Sequence, residues 1–364
     1  MEEFSACFQE LDDPRIGNAG RHDLLEILMI SLCTTLCGGQ TAVDMAEFGV
    51  AKESFLRRFL TLEHGIPSHD TFSRVFQLLN PDQFRICFQT FMERFSQTHK
   101  GVIAIDGKVL RRSFDTASGK SALHMVSAWG CEQGLVLAQI AVDEKSNEIT
   151  AVPKLLEMLC LSDTIITTDA LNCQRNIAEH IVKEGGDYVL ALKGNQSSLH
   201  QDVKIFLDDP ETQGIDIHKE TDGGHGRIEE RTAMISTDIE WLQEQHNWPG
   251  LEAVGKVIRR REKGGKTTIE NAYYLISAPF PAARFGQAVR SHWGIENSLH
   301  WSLDVVMNED QCRNRKDNGP YNLAILRHMA LNLIKKEESK GSNRVKFKRA
   351  GWNDDFLIKI FAQN

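Results

Sequence analysis

The sequence predicts an α/β fold: a mixed sheet with flanking helices, preceded by a helical N-terminal region and interrupted by a β-rich insertion. Three observations predict it. Residues 1–98 place apolar side chains at helical spacing between recognisable caps. From Gly101 the period shortens to that of strands, and the elements follow in the order β-β-β-α-β-α-β of a mixed sheet. Between about residues 195 and 280 further strand-like runs break that order, and helices resume after Pro279 and Pro281.

In the N-terminal region, Asp23 opens a strongly apolar helix that stops at Gly38-Gly39. A short helix over 41–48 follows, and Phe55, Phe59 and Leu62 belong to another. Ser68 is a good N-cap for a helix with Phe72, Val75, Phe76 and Leu79 on one face. Asn80-Pro81 breaks it, and Pro81 suits the first turn of the next helix, which runs to Phe95. Residues 97–101 read as a linker.

Strands are expected over 102–105, 124–130 and 135–142, the last two joined by the hairpin turn Glu132-Gln133-Gly134. A helix over 151–161, a strand over 164–168, a helix over 174–184 and a strand over 188–192 complete the sheet. The insertion supplies strands over 227–235, 253–261 and 267–276, the last two linked through Gly264-Gly265. After Pro281 one long helix is expected to about Leu303, and another from near Pro320 to about Lys336. Three units result: a helical domain over 1–98 with possible DNA-binding use, a sheet domain over 99–336 carrying the insertion, and a basic tail over 337–364 whose first half, 337–349, has a disorder-prone composition.

The 364 residues are 41% hydrophobic and 25% charged, ordinary values for a globular protein. The formal net charge of −8 argues at first against a nucleic-acid partner, but the cations are grouped. One group surrounds Lys108, Arg111, Arg112 and Lys120. A second holds Lys256, Arg259, Arg260, Arg261, Lys263 and Lys266. A third lies near Lys346. Each taken alone reads equally well as a solvated face. The eight cysteines form no C-x-x-C pair and read as free thiols in a reducing compartment. The acidic start lacks a signal-peptide pattern and no apolar run is long enough to span a bilayer, so a cytoplasmic protein is expected.

Three acids stand in unusual contexts. Asp106 ends the apolar run 102–105 and precedes Gly107 and Lys108. Asp169 ends the run 164–168. Glu296 lies on the long helix. A carboxylate at the end of a buried strand is costly unless it is paired or binds a cation. Two strand-end aspartates and a helix-borne glutamate can hold a pair of hard divalent cations, the arrangement that activates water in phosphodiester chemistry. Plainer readings remain beside this one: Asp-Gly commonly opens a turn, and Asp169 also suits a helix N-cap. Lys193 and Asn195 follow a buried strand and fall on the rim of the same site or in a polar turn. Strand alternation sends His225, Arg227, Glu229 and Arg231 to one side, as an exposed edge strand would also do. His292, Glu296, His300 and Asp304 recur every four residues as one polar stripe, with Asp304 in reserve should Glu296 face elsewhere. A zinc site is the weaker reading of that stripe, since H-E-x-x-H is missing.

Several blocks in order resemble the H-repeat-associated proteins of Rhs elements, a branch of the DDE insertion-sequence transposases. They are Asp12 to Arg15, Arg21-His22, Gly65 to Phe76, Ile105 to Lys108, Asp169 to Gln174, Gly186 to Gln196, His225 to Glu229 and Arg290 to Asp304. The resemblance implies a ribonuclease H-like core, a β-rich insertion before the glutamate helix and a helical N-terminal domain. It implies cutting and joining of DNA at transposon ends with Mg2+ (or Mn2+), two ions, by a homodimer on DNA. Position by position it assigns the metal-binding catalytic acids to Asp106, Asp169 and Glu296. Where the wider superfamily has Tyr, Arg and Lys around the glutamate, this chain has Val289, His292 and Leu303. DNA contacts are therefore expected from Lys108, Arg111, Arg112, Lys193, Asn195, His225, Arg227, Arg290, His292 and His300. A metal-dependent nuclease without strand transfer, or a DNA-binding relic, are the alternatives.

Overall fold

A computed structural model describes residues 2–93, 101–116, 119–142, 146–224 and 227–362. His225 and most of the expected linker lie outside them.

The N-terminal helices are α1 (Glu2–Phe8), α2 (Leu24–Leu36), α3 (Ala42–Ala51), α4 (Glu53–Leu56), α5 (His69–Leu78) and α6 (Pro81–Glu93). Their caps are those the sequence offers. The Asp23 side chain accepts from the Glu26 amide, and Ser68 accepts from the Thr71 amide. Helix α2 is apolar on nearly every side, so it can only be stable when surrounded. It is enclosed: Ile27, Ile30, Leu32, Cys33 and Leu36 are fully buried.

Strands β1 (Gly101–Val109), β2 (His124–Gly130) and β3 (Leu135–Ala141) form an antiparallel meander. Helix α7 (Glu148–Leu156) leads to β4 (Thr164–Thr168), and α8 (Arg175–Lys183) leads to β5 (Asp187–Leu192), each crossover making a parallel pair. The order β3-β2-β1-β4-β5 is the ribonuclease H-like arrangement. After α9 (Ser197–Asp208) come β6 (Asp216–Gly224), β7 (Arg227–Ser236), α10 (Glu240–His246), β8 (Ala253–Lys263) and β9 (Lys266–Ile276). The insertion is not a separate subdomain beside the sheet. Strand β9 pairs antiparallel with β5, so one nine-stranded sheet runs β3-β2-β1-β4-β5-β9-β8-β7-β6. Strand β6 escaped the sequence reading because it is the outer edge, and its residues DIHKETDGG show no apolar alternation.

Strand alternation sorts β1 between the two faces of the sheet. Ile103 and Ile105 pack with α7 and α8, whereas Val102 and Ala104 face the opposite side. Against that opposite side lies α11 (Ala282–Gly294), whose Phe285, Ala288 and Val289 meet Val102 of β1, Ile165 of β4 and Val189 of β5. Gly255 on β8 lets α11 approach, since a Cβ there would strike the Phe285 ring. The expected single helix to Leu303 changes character after Gly294. Segments Ile295–His300 and Ser302–Val306 are π-helical, with the Trp301 amide donating to the Glu296 carbonyl.

Helices α12 (Gly319–Lys336), α13 (Asn343–Trp352) and α14 (Asp354–Phe361) close the chain. The disorder expected over 337–349 is corrected here. Phe347, Leu357 and Ile360 are buried in one core with α2, α5, α6 and α12. The charges that suggested disorder are neutralised in place: buried Glu337 accepts from Ser339 and Lys359, and buried Lys346 donates to the Glu337 carbonyl. Among the described residues no helix is long and apolar enough to cross a membrane.

Candidate active site

The register of β1 on β4 builds the site. Ile105 stands opposite Thr168 in the parallel pair, so the next residue on each strand is an aspartate, Asp106 and Asp169, at the same end of the sheet. Alternation turns both toward the face that α11 covers, together with Ala104, Ile165 and Thr167. Glu296 comes to that face from the first π-helical turn. A cleft of about 640 Å3 is lined by all three acids, with Lys193, Lys204 and His292 among its walls.

The polar stripe of the sequence is a single row laid along the strand ends. An α-helix turns every 3.6 residues, so a spacing of four drifts round it; the wider π turn takes up that drift. His292 shares a 3.0 Å hydrogen bond with Thr167 of β4. His300 lies 3.7 Å from Asp106, and Asp304 is 2.7 Å from the Lys108 ammonium. Glu296 thus faces the cleft, and Asp304 is a partner of Lys108 instead of its substitute.

Electrostatics at the acids follow from burial. The Asp106 carboxyl is pushed up to about 7 by desolvation, with Asp169, Glu148 and Glu296 adding like charge against a lowering hydrogen bond from Gly107. Burial, joined by the charges of Lys108 and His328, holds His300 down at about 4, and His292 is held at about 4 by burial. Both rings are therefore neutral near pH 7. Among the described residues no three Asp, Glu, His or Cys side chains stand close enough to enclose one metal ion.

Behind the acids lies a group that the sequence reading missed. Glu148 opens α7, is almost fully buried, and accepts from His124 at 2.8 Å and from the Asn172 amide at 3.0 Å. The same Asn172 nitrogen donates to Asp169 at 3.0 Å, and the Asn172 backbone amide donates to that oxygen at 3.2 Å. Burial alone would lift Glu148, but the bonds from His124 and Asn172 hold its carboxyl below the ordinary range. A Cβ on Gly107 would collide with the Glu148 carboxylate and the His124 ring, so any side chain after Asp106 would displace that pair. Asn172 lies within the Asp169 to Gln174 block of the resemblance; Glu148 carries no sequence signal beyond that of a helix-start acid.

The expected DNA contacts divide. Lys193 is exposed on the cleft wall, and Arg111 is 80% exposed beside Asp310. Arg112 is half-buried, with its carbonyl accepting from Arg315. Lys108 is desolvated and surrounded by Asp304, Glu309 and Asp310 at 2.7, 3.2 and 3.1 Å, so its ammonium is engaged within the protein. His292 and His300 are directed at the strand ends, beside Thr167 and Asp106, and are uncharged near pH 7. Asn195 donates to the Ala170 carbonyl at 2.6 Å and so braces the turn after Asp169. Arg290 pairs with Glu220 and Asp222, and Arg227 with Glu229. Arg259, Arg260 and Arg261 are likewise matched by Glu229, Glu230 and Glu270.

Comparison with known proteins finds two family models and several relatives. A family model described as a transposase DDE domain matches residues 97–333, and one described as DDE_Tnp_1-associated matches residues 5–92. The chain is 38% identical to the H repeat-associated protein YhhI of Escherichia coli K12, over 94% of this chain and 93% of that one. It is 35% identical to YncI of Escherichia coli O157:H7, over 97% and 92%. A protein from the dhlA 3′ region of Xanthobacter autotrophicus is 44% identical over 74% and 92%. A solved piggyBac transposase in a synaptic complex with hairpin DNA matches at 12% identity and a TM-score of 0.45, over 99% of this chain and 77% of that one. With the family model matching residues 97–333 and relatives matched nearly end to end, the chain belongs to the DDE transposase family.

Proposed function

We propose that this chain cuts DNA and joins the freed 3′ ends to new DNA, with Asp106, Asp169 and Glu296 as its catalytic carboxylates and Mg2+ or Mn2+ as their cations. The observation that carries the reading is the convergence of three acids, distant in sequence, on one cleft. Among the described residues none of them is paired with a lysine or arginine. The Asp106 carboxyl is raised first by burial and then by the like charges of Asp169, Glu148 and Glu296, a strain that a bound cation would relieve. Hard carboxylate oxygens without a protein cation fit such ions in chemical kind. Bound divalent ions would supply positive charge for the nucleophile and for the leaving oxygen of a phosphodiester.

The chain's own groups do the rest. Asn172 fixes the Asp169 carboxylate and is itself fixed by Glu148. Neutral His300 stands beside Asp106 without neutralising it. Lys193 and Lys204 on the cleft wall face an incoming phosphate. Strand transfer differs from hydrolysis only in that a DNA 3′-hydroxyl takes the place of water. A pair of chains, each holding one DNA end, is the assembly this reading calls for.

The test is a labelled DNA end incubated with Mg2+ or Mn2+ and either wild-type protein or Asp106→Asn. Wild type is expected to nick the DNA, and the variant to bind it without nicking. Equal cleavage by both would remove Asp106 from the chemistry. No cleavage by wild type with either metal would make this copy a relic.

A further inference from the structure

Two segments run from the catalytic acids to the same place. Strand β1 carries Asp106 and continues to Arg111 and Arg112. The helical run that carries Glu296 continues past Asp304 and the turn Glu309–Gln311 to Arg313, Arg315 and Lys316. Beyond the cleft the two are tied together. The Arg315 Nε donates to the Arg112 carbonyl at 3.1 Å, and its guanidinium lies over the Phe114 ring at 4.8 Å. Lys120 Nζ donates to the Asp317 carbonyl at 2.6 Å. Arg111, Arg112, Lys120, Arg313, Arg315 and Lys316 thereby form one ledge. Its acids are Asp115, Asp310 and Asp317, and Asp310 is shared between Lys108 at 3.1 Å and Arg111 at 3.3 Å. In a chain of net charge −8, this ledge is positive by three. Arg111, Arg313 and Lys316 are exposed on it.

Beside the ledge runs a groove of about 600 Å3, shared with the N-terminal helices. Gln40, His69 and Ser73 line it from the N-terminal side together with one acid, Asp70, and the apolar Ala42 and Val43, and Gln311 and Asn314 line it from the other. Asn308 donates to Gln40 across it at 3.1 Å. Exposed guanidinium and ammonium groups next to neutral amides and hydroxyls are the chemistry that holds a phosphodiester backbone without reading bases. The grouping could not be read from the sequence, because some 200 residues separate its two halves.

We propose that duplex DNA leaving the catalytic cleft lies along this ledge, its phosphates on Arg111, Arg313 and Lys316 and its flank in the groove against α3 and α5. The proposal rests on the DNA reading above and adds where the duplex is held. Neither Arg313 nor Lys316 belongs to the catalytic cleft, so the chemistry and the grip are separable.

The experiment measures binding of a short, labelled, mixed-sequence duplex over a range of salt concentrations. The proteins are wild type, R313E/K316E, and the control R344E/K348E, which reverses two exposed charges on α13. Each phosphate contact contributes about 0.9 to the log–log salt slope, so the ledge variant should lose roughly two slope units and the control none. Arg313→Ala and Lys316→Ala singly, each expected to lose about one unit, serve if the double reversal fails to fold, with thermal melting as the check. A wild-type protein that binds no duplex would overturn the DNA reading and the ledge together. Wild-type binding with an unchanged slope in the ledge variants would overturn the ledge alone. So would an equal loss in ledge and control variants, which would reduce the effect to net charge.

Discussion

Asp106 is the residue on which folding and function pull in opposite directions. Its carboxyl is raised to about 7 by burial and by the neighbouring acids, so the folded protein prefers it protonated. The unfolded chain ionises it near the ordinary value of 3.8. Between those two pH values the folded state holds more protons than the unfolded state, and stability falls as pH rises. Asp106→Asn removes that penalty. In the absence of divalent metal it should raise the melting temperature near neutral pH, with a gain of up to about 4 kcal/mol before the site relaxes. The gain should shrink as pH falls and vanish below the ordinary aspartate value. Melting curves of both proteins across that range check it; a constant gain at every pH would mean that another cause is at work. Asp106 and Asp169 were legible in the sequence because each ends an apolar run. Glu148 was not, since a single acid at a helix start looks like a cap, and only the folded chain places it behind Gly107.

At the scale of elements, legibility followed the apolar pattern. Strands β1, β4, β5, β7, β8 and β9 declared themselves by apolar or alternating residues, whereas β6, polar throughout, did not. The C-terminal helices misled for the opposite reason. Their charges suggested solvent, but Lys346 is buried, and Glu337 is pulled down to about 2 by Ser339, Lys359 and Lys346 against a desolvation that would raise it. Glu337 is therefore the joint at which α13 and α14 meet the end of α12. Glu337→Ala should leave the Lys346 ammonium buried without its carboxylate and destabilise the protein by about 3–5 kcal/mol. Chemical denaturation measures this. A loss below about 1 kcal/mol would show that Lys346 finds solvent or another acceptor.

At the scale of the whole molecule, buried histidines set the acid limit. His292 and His300 are held at about 4 and His328 at about 3, all chiefly by burial. Each is neutral when folded and takes up a proton when unfolded below the ordinary value of 6.5. Their contribution is thus complete above that value and is lost progressively as pH falls from 6.5 toward 4 and below. Asp106 acts in the reverse sense over part of the same range, so three groups oppose one. The melting temperature should decline as pH falls below 6.5, and the decline should be shallower in His328→Gln if that variant folds. A flat profile between pH 6.5 and 4.5 would contradict it.

The pairing of β9 with β5 has a consequence for how this protein can vary. Leu192 and Tyr273 are neighbours across two strands, so the chain leaves the core and re-enters it almost at the same point. A detour with adjacent ends can lengthen, shrink or be exchanged among descendants without pulling on the strands that carry the aspartates, because closing the gap depends only weakly on its length. What it cannot do is disappear cleanly. Removing β9 would strip β5 of its partner and leave a bare row of amides and carbonyls open to another chain. The inserted strands thereby seal the β5 edge as well as extend the sheet.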